Sequence, residues 1–466
     1  MYSRMYIAVV FVICLILSSP VRARIWYVER DGSGDFTTIQ PAVDAASPGD
    51  TIRIGPGRYT EYEPLTVPGW TEDVYVAIQT DSLTLIGSGP DVTIIGPEEP
   101  FYEPTEMPKG IAGIFISDLS ILNLTVENIR DGIYRSEGQL VLTNSIIRGC
   151  DLGLVSWTDC GMRVKDCQFL DNLSRGLITF DPACDIEVRD SFFSNISSSI
   201  SFNSTDDAFV HNCEFHGGTT GVKIQSYSSG GIFDCRFENI AFIAIYITTA
   251  SQAVIERNLI IGGYRNIDII TVSHVSGTQN VLSGGQVATI KISHSTLDFT
   301  GNHIFNNGGY TVFLEAFFNP PDVIVDLSEN YWGTMNTDTI ETWIWDGHDD
   351  PDIHAFVDFE PISDFILDAD TPTARTTDIL KVKPNPFNPQ TELTYTLAQD
   401  GLVRLAIYDL LGRNIAVLID GHRPVGPGSV TWDGRDKGGS AVASGVYIAR
   451  LETAQGVSTQ KLVLAR

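Results

Sequence analysis

Gly153-Leu154-Val155-Ser156-Trp157-Thr158-Asp159-Cys160-Gly161-Met162-Arg163-Val164-Lys165-Asp166-Cys167-Gln168-Phe169-Leu170 holds three strand-length runs of alternating character, 153–157, 162–165 and 168–170, separated by turn residues. None has the 3.6-residue period of a helix. The stretch recurs along the chain. A small polar residue, one variable residue and then Ile, Phe or Leu stand at Asn144, Cys167, Ser191, Cys213, Cys235, Asn258, Asn280 and Asn302, in steps of 23, 24, 22, 22, 23, 22 and 22 residues. That spacing is too regular for independent loops and too long for heptads, and it predicts a solenoid in which one repeat is one coil of strands. Coils stack at the ~4.8 Å strand spacing, so residues one repeat apart become vertical neighbours. A short residue at the marker suits a tight turn, and Asn there can ladder its amide with the coils above and below.

Counting from coil to coil sorts the strand positions. Leu154, Leu177, Ile200, Val222, Ile245 and Ile267 form a column that is apolar throughout and so points inward. The adjacent column, Val155, Ile178, Ser201, Lys223, Tyr246 and Asp268, turns polar along the stack and so points outward. Of seven cysteines, Cys14 falls in an N-terminal leader, and Cys150, Cys160, Cys167, Cys184, Cys213 and Cys235 remain. Three of these occupy the marker, and Cys160 and Cys184 share a second turn one coil apart. This favours stacked buried thiols, although an even count in an exported chain also fits disulfides.

The ends depart from the repeat. Arg4, the apolar run from Ile7 to Leu17 and Val21-Arg22-Ala23 have the three parts of a secretory signal peptide over residues 1–23. Thr37-Thr38-Ile39-Gln40 reads as a capping box opening a short helix from Gln40 to Ala46 that plugs the first coil. Gly96 to Lys109 contains Pro97, Pro100, Pro104 and Pro108 and is expected to be a projecting loop. The stack is expected to end at Asn330-Tyr331-Trp332-Gly333, closed by a helix from Thr337 to Trp345 and a strand from Val357 to Phe359. His348 and His354 lie among Asp349, Asp350 and Asp352, a pattern open to metal binding but better read as a solvated capping turn. The expected domains are a solenoid over 24–366, a linker over 367–378 and a small β-sandwich over 379–466. Candidate strands of the last are 391–397, 402–408, 414–418, 429–432, 445–451 and 458–464, spaced at the roughly ten-residue rhythm of sandwiches.

Among 466 residues, 58 are acidic and 30 basic, a formal net charge of −28. That balance repels nucleic acid and excludes it as a partner. An anionic polysaccharide would need local Arg or Lys or a bridging divalent cation, and the surplus carboxylates suit Ca²⁺. No CxxC or Cys/His cluster suggests zinc or iron, and there is no phosphate-cradling Gly loop and no Gly-x-Ser-x-Gly elbow.

Two resemblances follow. The opening Val28-Glu29-Arg30-Asp31-Gly32-Ser33-Gly34-Asp35-Phe36-Thr37-Thr38-Ile39-Gln40, with Gly49-Asp50-Thr51-Ile52 and Pro56-Gly57-Arg58-Tyr59, is similar to the start of pectinesterases. Residues 24 to about 365 resemble the pectin-lyase-like right-handed parallel β-helix superfamily. The resemblance implies an all-β fold, a right-handed parallel β-helix followed by a small Ig-like β-sandwich. Asn203-Ser204-Thr205-Asp206-Asp207 and Gly221-Val222-Lys223-Ile224 echo polygalacturonase motifs, whereas His216-Gly217-Gly218 departs from Gly-His-Gly. The tail, with Pro384-Asn385-Pro386-Phe387-Asn388-Pro389, Tyr408-Asp409-Leu410-Leu411-Gly412-Arg413, Trp432-Asp433-Gly434-Arg435-Asp436 and Ala443-Ser444-Gly445-Val446-Tyr447, resembles FlgD Ig-like and type IX secretion sorting domains. This implies export through outer-membrane secretion machinery, with release or cell-surface attachment; a monomer is expected.

The expected function is recognition or processing of extracellular polysaccharide along the lateral face, by a polysaccharide lyase or glycoside hydrolase if an enzyme, or else a non-catalytic structural or adhesive role. Asp159, Asp181, Asp185, Asp206 and Asp207 come from the turn before the marker on successive coils, and Lys165, Arg189 and His211 from the column beside it. Crowded carboxylates separate a general acid from a base or nucleophile, which makes Asp181, Asp206, Asp207 and His211 the catalytic candidates. Trp157 and Phe180 are candidates for a stacking platform, and Lys223 and Tyr246 for orienting a glycan. The competing reading of the aspartates is that of turn residues bonding nearby backbone amides.

Overall fold

The structure, a computed structural model, describes residues 23–67, 70–99, 108–158, 160–180, 183–305, 308–315, 317 and 322–364. Beyond these it describes 381–383, 385, 387–397, 400–409, 414–424, 426–453 and 456–465. Each coil runs through three sheets in turn, as in Leu152–Ser156, Cys160–Lys165 and Gln168–Leu170. The first run builds sheet 3, of 13 strands ending at Ile344–Trp345. The second builds sheet 1, of 14 strands from Ile25–Val28 to Ala355–Asp358, and the third builds sheet 2, of 11 short strands. Pairing is parallel throughout, apart from an antiparallel hairpin, Glu63–Val67 with Trp70–Ile78, at the start of sheet 3. The fold is a right-handed parallel β-helix.

The inward column falls where the repeat puts it. Leu154, Leu177, Ile200, Val222, Ile245 and Ile267 pair rung by rung and are fully buried in one continuous core. Beside them Phe169, Phe193, Phe215 and Phe237 of sheet 2 stack face to face, with centroids 4.8, 5.0 and 4.6 Å apart. This stack explains the glycines at the corner into sheet 3. A Cβ on Gly176 would meet Ser199 O at 2.5 Å and the Phe193 ring at 3.2 Å.

The marker is a buried turn that satisfies backbone groups between coils. Ser191 Oγ donates to Arg189 O (2.8 Å) and accepts the Cys167 N–H (3.2 Å). Asn258, Asn280, Asn302 and Asn330 do the same with amides, each Oδ1 accepting the N–H of the marker one coil earlier at 2.7–2.9 Å. In the coil of Asn144 the marker is displaced by one residue. Ile147 pairs with Phe169, so Ser145 is the buried marker. Asn144 instead belongs to the preceding column of left-handed residues, with Asp166, Asp190, Asn212 and Asp234 at φ 46–55°. Asn and Asp tolerate that conformation best, which is why two adjacent small polar residues imitate each other in sequence.

Thiols serve the same turn. Cys167, Cys213 and Cys235 donate to the carbonyl two residues upstream at 3.1–3.2 Å and, like Cys150, carry no disulfide. Burial pushes the Cys150 and Cys167 thiols up to about 12.

The ends differ from expectation in part. The plug is a helix from Ile39 to Ala45 with Ile39, Ala42 and Val43 buried, but Thr38 is its N-cap and makes no side-chain cap bond. Gln40 is drawn off by the edge strand, its side chain bonding Ala77 N and O at 2.8 and 3.0 Å. Of the Gly96–Lys109 loop, 100–107 lie outside the described residues, and Lys109 is already a buried residue of strand Lys109–Gly113. The stack continues past Trp332. The helix stops at Glu341, and Ile344–Trp345 forms a strand on Tyr310–Glu315 because Trp345 stacks on Phe313. The expected linker over 367–378 lies outside the described residues.

In the C-terminal region, Lys381–Lys383, Thr391–Leu397 and Gly426–Trp432 form one antiparallel sheet. Gly401–Asp409, Asn414–Arg423, Gly445–Thr453 and Gly456–Leu464 form a second. Leu393, Leu405, Ile407, Trp432, Leu451 and Leu462 are buried together, giving a small sandwich-like core.

Candidate functional site

The outward column of sheet 3 runs Tyr134, Val155, Ile178, Ser201, Lys223, Tyr246, Asp268, Lys291, Phe313, Trp345, one residue per rung. Val155, Ile178 and Ser201 lie in the outward column, outside the interior core cluster, yet are buried. Trp157 and Phe180 follow the strand ends of adjacent coils. Their N–H groups donate to Arg135 O (2.9 Å) and Ser156 O (2.7 Å), and the rings stack at 4.5 Å and 21°.

Two rungs beyond, Lys223 holds its Nζ 5.2 Å from the centre of the Tyr246 ring. Burial, and then the nearby Arg175 guanidinium, push the Lys223 pKa down. Arg175 donates to Ser174 O (2.9 Å), while its Nε is buried without a hydrogen-bond partner among the described residues. Among those residues neither cation has a carboxylate at ion-pair distance. Other cations of this face are matched: Arg265 with Asp268 at 2.6 Å, Lys291 with Glu315 at 2.6 Å, and Lys109 with Asp131 and Glu72. Asp268 is itself buried, with Oδ1 unpartnered among the described residues. Burial pushes its pKa up, opposed by Arg265 and Lys291.

Large apolar side chains line both rims of this face. Leu173 and Phe242 stand on turns entering sheet 3, and Tyr227 and Val272, 75% and 74% exposed, on turns leaving it. Tyr227 and Val272 hold φ of 65° and 58°, a left-handed backbone that costs a side-chain-bearing residue roughly 1–2 kcal/mol.

The candidate residues divide among faces. Trp157, Phe180, Lys223 and Tyr246 share the outer face of sheet 3. Asp206 and Asp207 are exposed at the start of strand Thr205–His211, where the chain has turned into sheet 1, with the Asp207 N–H donating to Ser229 Oγ (3.3 Å). His211, at the other end of that strand, stacks on Phe233 at 5.0 Å. Burial lowers its pKa, opposed by Glu187 and Asp234. At ~3.3 Å per residue, Asp207 and His211 are about 13 Å apart along the strand. Lys165, Arg189 and His211 do form one column, and Asp185 pairs with Arg163 at 2.7 Å. Asp159 and Asp181 lie outside the described residues.

Arg175, Asp268, Lys291, Phe313 and Trp345 complete the face and were not picked out as site residues. Continuing the outward column past Asp268 by the same spacing reaches Lys291 and Phe313. Trp345 is beyond that count because the 337–341 helix intervenes.

Among the described residues no three His, Cys, Asp or Glu side chains converge as a metal site, so no residues there are assigned to Ca²⁺. In the acidic turn, buried Asp346 accepts the N–H groups of His348 (2.8 Å) and Val357 (2.9 Å), and His354 pairs with Asp322 at 2.9 Å.

Residues 176–319 match the family model of the right handed β-helix region. Comparison with curated proteins gives no match. Among solved structures, the chain is similar to the catalytic unit of a thermostable GH87 α-1,3-glucanase from Streptomyces thermodiastaticus, at 15% identity and a TM-score of 0.47. That match covers 67% of this chain and 66% of the glucanase unit. An alginate lyase from Paenibacillus sp. is 12% identical (66% and 94% covered, TM-score 0.34). The A-module of the mannuronan C-5 epimerase AlgE6 from Azotobacter vinelandii is 15% identical (63% and 81% covered, TM-score 0.34).

Proposed function

We propose that the outer face of sheet 3 recognises an extracellular polysaccharide bearing carboxylate groups. The observation that carries this reading is the pair Arg175 and Lys223. In a chain with 58 acidic residues against 30 basic, two half-buried cations on one face stand without a carboxylate among the described residues. An anionic ligand group supplies the missing counter-charge, and a desolvated cation gains more from it than an exposed one does. The Trp157–Phe180 stack beside them offers the flat apolar surface on which a sugar ring lies. Recognition without turnover is favoured, because Asp206, Asp207 and His211 lie off this face.

Export belongs to the same reading. The leader pattern of residues 1–23 and the sorting-domain resemblance of 379–466 support delivery through outer-membrane secretion machinery to the medium or cell surface.

The test is glycan-array binding followed by calorimetry with acidic and neutral oligosaccharides at two salt concentrations. Lys223→Met is expected to weaken acidic ligands at least tenfold and to reduce the salt dependence. Equal binding of acidic and neutral glycans, unaffected by Lys223→Met, removes the proposal. Release of new reducing ends or unsaturated-uronate absorbance, abolished by Asp206→Asn with Asp207→Asn, would establish processing in place of recognition.

A further inference from the structure

The last coils of sheet 3 hold a second aromatic surface on the same face. Tyr310, Phe313 and Trp345 line a cavity of about 330 Å³, at the small end of the ~300–1,000 Å³ range of ligand pockets. Phe313 and Trp345 are vertical neighbours in the outward column and lie 15° from parallel at 6.2 Å. Tyr310 tilts against them at 5.6 Å from each. The result is a floor with one wall. The charged groups lining it are the carboxylates of Glu315, which Lys291 pairs, and Asp350. This end therefore repels a sugar carboxylate, whereas the Arg175–Lys223 end attracts one.

The rungs fix how far apart the two ends stand. Between the strand before Phe180 and the strand of Phe313 the register makes six steps, and between Lys223 and Phe313 four. At ~4.8 Å per step these are about 29 and 19 Å. A glycan lying along the helix axis advances roughly one sugar per rung. The column between the ends, Tyr246, Asp268 and Lys291, has its charges already paired with Arg265 and Glu315 and presents no unmatched cation to a second carboxylate.

Building on the glycan reading of this face, we propose that the Tyr310–Phe313–Trp345 pocket is a second subsite that takes an uncharged sugar. The ligand is then a heteropolysaccharide of at least about six sugars, lying along the coil axis with an acidic sugar at Arg175 and Lys223 and a neutral one over Phe313 and Trp345. A chain long enough to span both ends gains from two contacts held by one linker, and a shorter chain does not.

The test uses the full chain and fragments of two to ten sugars. One series comes from a polymer alternating a uronate with a neutral N-acetylated sugar, and the other from an all-uronate polymer of matched lengths. Affinity for the alternating series is expected to rise at least tenfold once the fragment reaches about six sugars. Trp345→Ala is expected to cancel that rise and leave dimers and trimers unchanged. Because Trp345 also packs against the core, Tyr310→Ala repeats the test by removing the wall, and in the fluorotryptophan-labelled chain the fluorine resonance assigned to Trp345 reports occupancy without any substitution. Loss of the length dependence in both variants, with long fragments alone perturbing the Trp345 signal, supports the proposal. Unchanged long-fragment affinity in both variants, or equal affinity for the all-uronate series, overturns it while leaving the Lys223 site standing. Indifference to Lys223→Met as well would bring down the glycan reading itself.

Discussion

Replacing Asn280 by alanine should unfasten the coils locally, and the cost can be counted. The Asn280 side-chain amide donates to Ile255 O (2.7 Å), Thr278 O (3.1 Å) and Asn302 Oδ1 (2.9 Å). Its Oδ1 accepts from the Asn258 backbone N–H (2.9 Å) and from Asn258 Nδ2 (3.0 Å). The residue is fully buried, so bulk water does not take over these contacts. Alanine orphans the Asn258 N–H at a cost of ~1–3 kcal/mol. The other partners keep some bonding, so their losses count at the net ~1 kcal/mol or less apiece, and the total is about 4 kcal/mol. Serine is the control supplied by the chain, which uses Ser145 and Ser191 at the same turn. A hydroxyl retains the bond to the carbonyl two residues upstream and the acceptor for the N–H one coil earlier, so Asn280→Ser should cost about 2 kcal/mol. Equilibrium urea unfolding of the full chain, followed by circular dichroism, measures both. An alanine cost below about 1 kcal/mol, or serine as costly as alanine, would refute the claim that the marker joins the coils by hydrogen bonds.

Other outcomes follow from the same coordinates. Phe193→Ala, at the centre of the buried ring stack, should destabilise by about 3–5 kcal/mol in the same unfolding experiment. Gly176→Ala should cost about 1–3 kcal/mol, because its Cβ would lie 2.5 Å from Ser199 O. Gly401→Ala, with nothing within 4 Å, should stay within about 0.5 kcal/mol. His211 has a folded pKa below its ordinary 6.5, so its contribution to stability is present above 6.5 and is lost as pH falls through the folded value. The melting temperature of the wild type should therefore drop more steeply than that of His211→Gln on acidification from pH 7, and parallel curves would contradict this. The Lys223 pKa is lowered, so its charge, and with it affinity for an acidic oligosaccharide, should fade on raising pH at a lower pH than for an ordinary lysine. Titration calorimetry across alkaline pH, with Lys223→Arg as the control expected to hold its affinity, tests this.

Much of the architecture was legible because a solenoid converts sequence distance into spatial contact. Leu177, Ile200 and Val222 are 23 and 22 residues apart in the chain and sit on neighbouring rungs, so simple counting finds the core. The same counting carries Lys223 and Tyr246 to one column, and the αL column explains why Asn144 imitates a marker one residue away. The ends were harder to read. Gln40 could cap its helix or the Ala77 peptide, and Trp345 could finish a helix or stack on Phe313. In both cases the deciding partner is remote in sequence.

The amino-acid sequence alone determined the coil length, the dry interior column, the ladder at the turn and the excess of negative charge, since each depends on spacing or composition. Only the tertiary structure decided which outward residues look the same way. Asp206 and Lys223 are 17 positions apart, less than one coil, yet the bend between sheets 3 and 1 aims them at different faces. It also revealed that Arg175 and Lys223 lack carboxylates among the described residues while their neighbours Arg265 and Lys291 have them. A periodic count fixes the rung on which a residue stands, but the angle at each corner and the reach of the side chains beside it are settled only when the chain packs.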